Sequence, residues 1–538
     1  MQAEKILTNG QIYTMSATHA RDAYTAKVQA LAITDDRISA VGSTESMREL
    51  LAPDGQEIDL GGRTVIPGLI DAHLHFLSYG LSLQEIDLVG TSSLPDTLDR
   101  IAARANMTPS GQWLTGRGWD QVLWAENAFP TSHDLDQVAP EHPAFLRRKC
   151  GHAGWANSRA LALAGIDSST PDPPGGEIER DPQSGEPTGI LKERAMDLVA
   201  QLLQEPTHEQ AITAIQSAME KVHQMGIVGF HNMEGAPALR AFQDLHQQGS
   251  LKLRVLQQIP EADLDAAIQL GIRTGLGDEW LRIGALKIFA DGSLGARSAQ
   301  MIEPYEGEPD NYGIAVSDAA HLSQVIDKAA RAGIAIHTHA IGDQANRNVL
   351  DAIEATRQAK IGLELRHRIE HAQILHPDDI ARFAELDVIP SMQPIHCTQD
   401  IVLADAHWGS RCRGAYAWSS LLSSGAQLAF SSDAPVETPD VFQGIYAAVT
   451  RRRADGYPGP EGWYPEECVT VAEAVYAYTM GAAYASGEEA IKGSLTPGKL
   501  ADLVILSDNI FAVDPDQILE IKADATMIGG EWVYERGH

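Results

Sequence analysis

In the stretch Thr64–Phe76, TVIPGLIDAHLHF, an apolar run leads directly into Asp71, His73 and His75. Such a run predicts a buried strand that ends in polar side chains. Side chains alternate between the two faces of a strand, so His73 and His75 point the same way and can present two imidazoles to one metal ion. A lone His-x-His pair is weak evidence for a metal site, since ordinary core or surface histidines also produce it.

Similar apolar runs recur along the chain and predict eight strands. They cover residues 65–75, 227–231, 253–258, 283–289, 334–339, 367–371, 388–393 and 428–433. Amphipathic helical segments lie between several of them, at 209–225, 319–331 and 346–358. Alternating strands and helices indicate an α/β fold with parallel strands, and eight such units predict a (β/α)8 barrel of the TIM type.

Both ends of the chain contain short β-like runs separated by turn signals such as Asn9-Gly10 and Gly529-Gly530. They predict one discontinuous β-sandwich domain formed by residues 1–65 and 490–538, which leaves residues 66–489 for the barrel. The first connection of the barrel, residues 77–222, is far longer than an ordinary βα loop. We expect this insertion between strands one and two to act as a cap over the pocket.

Composition excludes several classes of function. The 538-residue chain carries 73 Asp and Glu against 41 Lys and Arg, a formal charge of −32, which argues against nucleic acid or anionic membranes as partners. Its four cysteines lie far apart, so they indicate neither a disulfide framework nor a thiolate zinc site. The sequence contains no apolar stretch of a length that spans a membrane and no secretory signal, and we expect a cytoplasmic protein.

Ligand-type residues cluster where the predicted strands end, which is where barrel active sites lie. These residues are His73, His75, Lys287, His339, His371 and Asp433. Each has an alternative interpretation. Lys287 could extend its ammonium to the barrel mouth, His367 and His371 could be an exposed helical pair, and Asp433 could cap the next helix. His337 lies two residues before His339 and should share its face of the strand.

Together these motifs resemble the amidohydrolase superfamily, and within it the amidohydrolase family 3 branch of YtcJ-like and N-substituted formamide deformylase-like proteins. The resemblance covers nearly the whole chain. It is carried by PGLIDAHLHF (67–76), GHAGWANS (151–158), LKIFADGSLGARSA (286–299), HAIGDQAN (339–346), RIEHAQ (368–373), SSDAPV (431–436) and GSLTPGKLADLVIL (493–506). One departure is Ser431, where the family commonly has glycine.

The resemblance implies a metal-bearing barrel with one or two Zn²⁺ ions, although other divalent metals are open. His73, His75, His339, His371 and Asp433 would be ligands. An N6-carboxylated Lys287 would bridge two metals, and an unmodified Lys287 would imply a single metal. Asp433 would be the general acid and base in the hydrolysis of a C–N bond, in an amide, formamide or lactam of a small molecule. His371, or His337 in its place, would polarise the carbonyl if it is not a ligand.

Substrate contacts are expected from the insertion and from the segment after strand four. The candidates are Trp119, Asp120, His152, Trp155, Gly292, Ser293 and His337. For each tryptophan, packing in the core of the insertion is an equally good explanation. Two other functions remain open: hydrolysis of an ester or lactone by the same chemistry, and a catalytically inactive assembly or regulatory role. The partner is expected to be a small-molecule substrate, and a homodimer stays an option.

Overall fold

The computed structural model describes residues 2–16, 22, 25–125, 127–148, 153–173, 176–203 and 206–537. The chain forms two compact units, one of residues 1–78 and 218–538 and the other of residues 79–217.

The first unit contains an eight-stranded parallel sheet that curls into a nearly closed barrel, which confirms the predicted TIM-type fold. Its strands follow one another in chain order around the barrel, as they do when each parallel strand is followed by a crossover segment. They are β1 (Leu69–Leu74), β2 (Ile227–Asn232), β3 (Arg254–Pro260), β4 (Leu281–Phe289), β5 (Ala335–Ala340), β6 (His367–His371), β7 (Val388–Met392) and β8 (Ala429–Phe430).

Hydrogen bonds at the ends of β1 and β8 bring the first and last strands together. The backbone N–H of Asp433 donates to the carbonyl of His73 (2.8 Å), and the N–H of His75 donates to the carbonyl of Ala434 (2.8 Å). The buried Asp71 carboxylate adds a side-chain bond, because it accepts from the Ser432 hydroxyl (2.6 Å). These bonds fix the His-x-His pair next to Asp433, although the two segments are some 360 residues apart in sequence.

The predicted strand 65–75 is two strands that belong to different sheets, which corrects the sequence interpretation. Thr64–Pro67 pairs with Leu503–Leu506 near the chain ends, whereas β1 pairs with β2 in the barrel. Gly68 lies between them, and a Cβ at this position would lie 2.4 Å from the Val228 side chain. The predicted strand 428–433 is also shorter than expected, since only Ala429–Phe430 forms a strand and the polar residues after it are loop.

Two further sheets are built from the ends of the chain. One consists of Ala3–Thr8, Ala30–Thr34, Arg37–Gly42 and Leu51–Asp59. The other consists of Gln11–Tyr13, Lys27–Val28, Thr64–Pro67, Leu503–Leu506, Ala523–Ile528 and Glu531–Glu535. Side chains of both sheets, among them Leu31 and Leu503, share one hydrophobic core. Such a core is typical of sheets packed face to face.

The second unit has its own sheet and its own core. Its strands are Ile86–Asp87, Leu114–Trp119, Ala144–Arg148, Ala153–Ala156, Gly176–Arg180 and Pro187–Glu193.

The α-helices in the described part of the chain are Thr44–Arg48, Phe76–Ser82, Leu94–Met107, Ser132–Val138, Ser158–Leu163, Asp197–Ala200, His208–His223, Ala236–Gln247, Leu264–Gln269, Ala319–Arg331, Asp343–Gln358, Pro377–Glu385, Pro394–Trp408, Trp418–Ser424, Val441–Thr450, Val471–Tyr476 and Ala482–Ala485. Among the described helices, none has the length and apolarity needed to cross a membrane.

Candidate active site

A cavity of 340 Å³ lies at the carboxyl ends of the barrel strands, where barrel enzymes place their active sites. Polar and apolar side chains share its wall. The polar members are His73, His75, Lys287, Ser293, His339, His371, Gln373, His396, Asp400, Asp433 and Glu437, and the apolar members include Phe289, Leu294, Ile341 and Val436. The cavity therefore brings together every ligand-type residue predicted from the strand ends.

Three of these residues form a compact cluster suited to a metal ion. One ligand atom from each of His73, His371 and Asp433 can be chosen so that all three lie within 4.8 Å of one another. The Oδ1 atom of Asp433 lies 3.4 Å from Nε2 of His73 and 3.4 Å from Nε2 of His75. Within the described part of the chain this buried oxygen has no hydrogen-bond partner. A divalent cation between these atoms would give the carboxylate the positive partner that its burial requires.

Buried neighbours hold the His73 ring in place. Its Nδ1 lies 2.7 Å from a carboxylate oxygen of Glu370, so Nδ1 is the donor and Nε2 keeps the lone pair that faces Asp433. Glu370 in turn accepts two bonds from Arg368, at 2.9 and 2.5 Å. Burial opposes the charge on Glu370, but Arg368 and His73 outweigh burial and keep the pKa of Glu370 well below its ordinary value.

His371 is oriented in the same manner at the end of β6. Its Nδ1 lies 2.9 Å from the amide oxygen of Gln393, and the amide nitrogen of Gln393 donates to the Ser431 hydroxyl (3.0 Å). Since an amide oxygen only accepts, Nδ1 carries the proton and Nε2 the lone pair. The backbone of His371 has a φ of 73°, which turns its side chain out of the strand alternation. Burial keeps the pKa of His371 well below its ordinary value, so the ring stays neutral.

His339 is the penultimate residue of β5, and its ring centroid lies 4.5 Å from that of His371. Its Nε2 donates to the carbonyl of Gly292 (2.9 Å), which leaves Nδ1 with a lone pair. Burial and the nearby Lys287 lower the pKa of His339 to about 4. The loops around it are joined by Asp291, whose carboxylate accepts backbone bonds from Ile341 (3.0 Å) and from residues 342 and 300 (2.8 Å each).

Lys287 is 5% exposed near the end of β4 and lines the cavity. Its Nζ lies 5.0 Å from the centre of the Phe289 ring. Burial is the main cause that lowers the pKa of Lys287 to about 8, although Glu370 and Asp433 act in the opposite direction. At a pKa of about 8, roughly a tenth of the Lys287 side chains are neutral at pH 7, and the neutral amine is nucleophilic.

Asp433 follows β8 with a left-handed backbone, at a φ of 59°. Burial alone would raise its pKa, but the imidazoles of His73, His75 and His371 reverse that shift and hold the pKa of Asp433 below its ordinary value. Two non-glycine residues with positive φ, His371 and Asp433, thus meet at one cavity. Such backbone strain is frequent where a site must fix the direction of a side chain.

The predicted substrate contacts are distributed over different environments. Ser293 lines the cavity beside the loop that begins at Gly292. His337 is buried two residues before His339 in β5, with its Nδ1 3.7 Å from Glu370 and without a hydrogen-bond partner among the described residues. A substrate contact by His337 stays a prediction.

The candidates in the insertion lie in the second unit, and their role in substrate binding stays a prediction. Trp119 and Trp155 are fully buried in its hydrophobic core, and their indole N–H groups donate to the carbonyls of Leu146 (2.9 Å) and Thr131 (2.7 Å). Asp120 forms an ion pair with Arg148 (2.6 Å). His152 lies outside the described residues.

Six polar residues of the site were not predicted from the sequence: Glu370, Gln373, Gln393, His396, Asp400 and Glu437. Glu370 could have been predicted, because it directly precedes His371 in the sequence. Strand alternation also places it on the same face as Arg368, with which it can pair. Gln393, His396 and Asp400 lie just after β7, in a segment whose spacing has no ligand signature. The Gln393-Pro394 pair signals a helix start, but not which side chains of the first turns reach the cavity.

Comparison with known proteins agrees with this geometry. A family model described as "Amidohydrolase family" matches residues 56–534. The chain is 34% identical to the putative amidohydrolase YtcJ of Bacillus subtilis, over 98% of each chain, and 31% identical to the N-substituted formamide deformylase of Arthrobacter pascens, over 96% of each. The crystal structure of an uncharacterised metal-dependent hydrolase from Pyrococcus horikoshii superposes with a TM-score of 0.79 at 30% identity, covering 95% of this chain and 99% of the other.

Proposed function

This chain belongs to the amidohydrolase family, and we propose that it is a metal-dependent hydrolase that cleaves a C–N bond in a small amide, formamide or lactam. The observation that carries the proposal is the cluster of His73, His371 and Asp433 in a cavity at the strand ends, where one carboxylate oxygen has no hydrogen-bond partner among the described residues. The similarity to a formamide deformylase supports the choice of bond.

The ion is proposed to be zinc, one or two per chain. Its ligands would be His73, His75, His339, His371, Asp433 and, once carboxylated, Lys287. When bound, zinc supplies a Lewis acid that lowers the pKa of water towards about 7 and polarises a carbonyl oxygen. The lone pairs that Glu370 and Gln393 leave on the Nε2 atoms of His73 and His371 favour the role of ligand for both rings.

Asp433 is proposed to move the proton. Its pKa lies below the ordinary value, so it is ionised at neutral pH and can accept a proton from the attacking water. It then delivers that proton to the departing nitrogen, so that one carboxylate serves first as base and then as acid. The apolar wall formed by Phe289, Leu294, Ile341 and Val436 would hold the non-reacting part of the substrate away from water.

The test is to incubate zinc-loaded protein with formanilide and N-benzylformamide and to measure amine release. Release of aniline or benzylamine, abolished by chelation and restored by zinc, is the expected result. Hydrolysis of phenyl formate without amine release from either amide would instead indicate the esterase alternative. Absence of both activities in a protein that still binds zinc would favour the catalytically inactive assembly or regulatory role.

A further inference from the structure

A histidine outside the predicted ligand set, His396, forms part of the cavity wall. It lies in the first turn of the helix Pro394–Trp408, which starts directly after β7. The residue is 8% exposed, and in the described structure its Nε2 has no hydrogen-bond partner. Buried polar atoms are nearly always paired, so an unpaired ring nitrogen on a cavity wall indicates a group that arrives with the ligand.

The two oxygens of the Asp433 carboxylate face different neighbours. Oδ1 lies 3.4 Å from the Nε2 atoms of both His73 and His75, on the side of the proposed metal ligands. Oδ2 lies 3.9 Å from Nε2 of His396. That distance is too long for a direct hydrogen bond. An atom between Oδ2 and Nε2 can nevertheless contact both.

We propose that His396 is a catalytic residue that accepts a hydrogen bond from the departing amine nitrogen and thereby favours amides over esters. The inference rests on the proposed function. A nitrogen about 2.9 Å from both Oδ2 of Asp433 and Nε2 of His396 lies about 2 Å from the line between them, and the two acceptors subtend about 85° there. This angle is about 25° smaller than the tetrahedral H–N–H angle of a protonated amine, so each of the two hydrogen bonds bends by about 12° from linearity and one nitrogen can donate to both.

The chemistry explains why a second acceptor is needed only late in the reaction. The oxygen of water adds to the carbonyl carbon, and Asp433 takes its proton and passes it to the nitrogen. The C–N bond then breaks, and nitrogen keeps the electron pair. As it is protonated, the nitrogen gains a second N–H bond and positive charge, and Nε2 of His396 accepts from it. An ester oxygen leaves with no N–H bond to donate.

The other polar residue of this helix that lines the cavity, Asp400, already has a hydrogen-bond partner. Asp400, one turn after His396, also lines the cavity, but its Oδ2 accepts from the Tyr416 hydroxyl (2.7 Å). We place the proton of His396 on Nδ1, which leaves a lone pair at Nε2, and no described residue engages that atom. The ring of His371 lies parallel to that of His396, with 6.2 Å between their centroids. His396 therefore lies beside the cluster of His73, His371 and Asp433.

The test compares a matched amide and ester, formanilide and phenyl formate, in zinc-loaded wild-type protein and in His396→Ala. We expect kcat for formanilide to fall about 100-fold or more, as is typical when a hydrogen bond made in the transition state is removed. Phenyl formate hydrolysis should change less than about 5-fold. His396→Gln, whose amide oxygen restores an acceptor, should recover part of the amide activity. His407→Ala, in the last turn of the same helix, is the matched control and should behave as wild type.

Zinc content and thermal midpoint are measured on every variant. A parallel fall in amide and ester hydrolysis, or an unchanged ratio of the two, would overturn the role of His396. Ester hydrolysis without any amide hydrolysis by the wild-type protein would overturn the proposed C–N function itself, and the inference with it.

Discussion

Nδ1 of His73 lies 2.7 Å from a carboxylate oxygen of Glu370, and both side chains are buried inside the barrel. The contact makes Nδ1 the donor, so the lone pair of Nε2 faces Asp433 across 3.4 Å. A residue that touches neither substrate nor the proposed ion thus determines how a ligand is presented.

Replacing Glu370 by Gln should therefore weaken metal binding. The amide is a weaker acceptor than the carboxylate, and its NH2 group can instead donate to Nδ1 of His73, which favours the wrong tautomer. The buried Arg368 guanidinium also loses its anionic partner. We expect zinc affinity to fall by about 10- to 100-fold and the free energy of unfolding to fall by about 3 kcal/mol. Competition with a chromogenic chelator and urea unfolding measure the two effects. Glu385→Gln, at an exposed helix end, is the control, and an unchanged affinity in Glu370→Gln would contradict the role.

Replacing Asp433 by Asn should remove the proton carrier with little change in shape. The histidine ligands remain, so we expect the variant to keep its metal and its thermal midpoint while kcat for formanilide falls by at least about 100-fold. Elemental analysis and amine release are measured on the same sample. Turnover close to that of the wild type would rule out Asp433 as the general acid and base.

Replacing Lys287 by Ala should halve the metal content if the lysine is carboxylated. With its pKa lowered to about 8, roughly a tenth of Lys287 side chains are neutral at pH 7 and can capture carbon dioxide. We predict two equivalents of zinc when wild-type protein is reloaded with bicarbonate, and one in Lys287→Ala or in wild-type protein reloaded without carbon dioxide. Equal metal content under all three conditions would indicate an unmodified lysine.

His367 predicts a pH dependence of stability. Burial lowers its pKa from 6.5 to about 3 in the folded protein, so below pH 6.5 the unfolded chain takes up the proton first. The stability that depends on neutral His367 is thus complete above pH 6.5 and decreases as the pH falls towards 3, by about 1.4 kcal/mol per pH unit. His367→Asn keeps an acceptor for the N–H of Ile336 but does not titrate.

Urea unfolding at pH 7 and pH 5 checks this expectation. The wild-type protein should lose about 2 kcal/mol more than His367→Asn between these two pH values. The remaining histidines contribute equally to both proteins, so the difference isolates His367. Identical losses would show that the protonated ring is tolerated in the folded barrel.

Much of this architecture follows from sequence periodicity. The apolar runs predicted eight parallel strands, and the structure confirms them, because strands buried on both faces need apolar side chains throughout. The break at Gly68 was not predictable from the run itself, since Val65 and Leu69 are both apolar. The close approach of Val228, which comes from a distant segment, leaves room only for glycine at that point.

The predicted ligand-type residues His73, His75 and His339 line the cavity, and in each case residue type and position at a strand end coincide. His371 reaches the cavity through a positive φ that no alternation rule anticipates. His396 is in the cavity because β7 and the helix after it bring it there, and a histidine three residues into a helical segment has no local signature. The positions of His371 and His396 at the cavity therefore depend on the tertiary structure, which the sequence pattern does not specify.

The dependence of activity on a metal held by His73 and His371 is measured as metal per chain, determined by elemental analysis alongside amine release from formanilide. Wild-type protein and a His73→Ala, His371→Ala double variant are each stripped with chelator and reloaded with zinc. We predict at least one equivalent of zinc and restored amine release in the wild type, and neither in the variant. Amine release by the stripped wild-type protein, or equal zinc and activity in the double variant, would contradict a metal-dependent site built on these histidines.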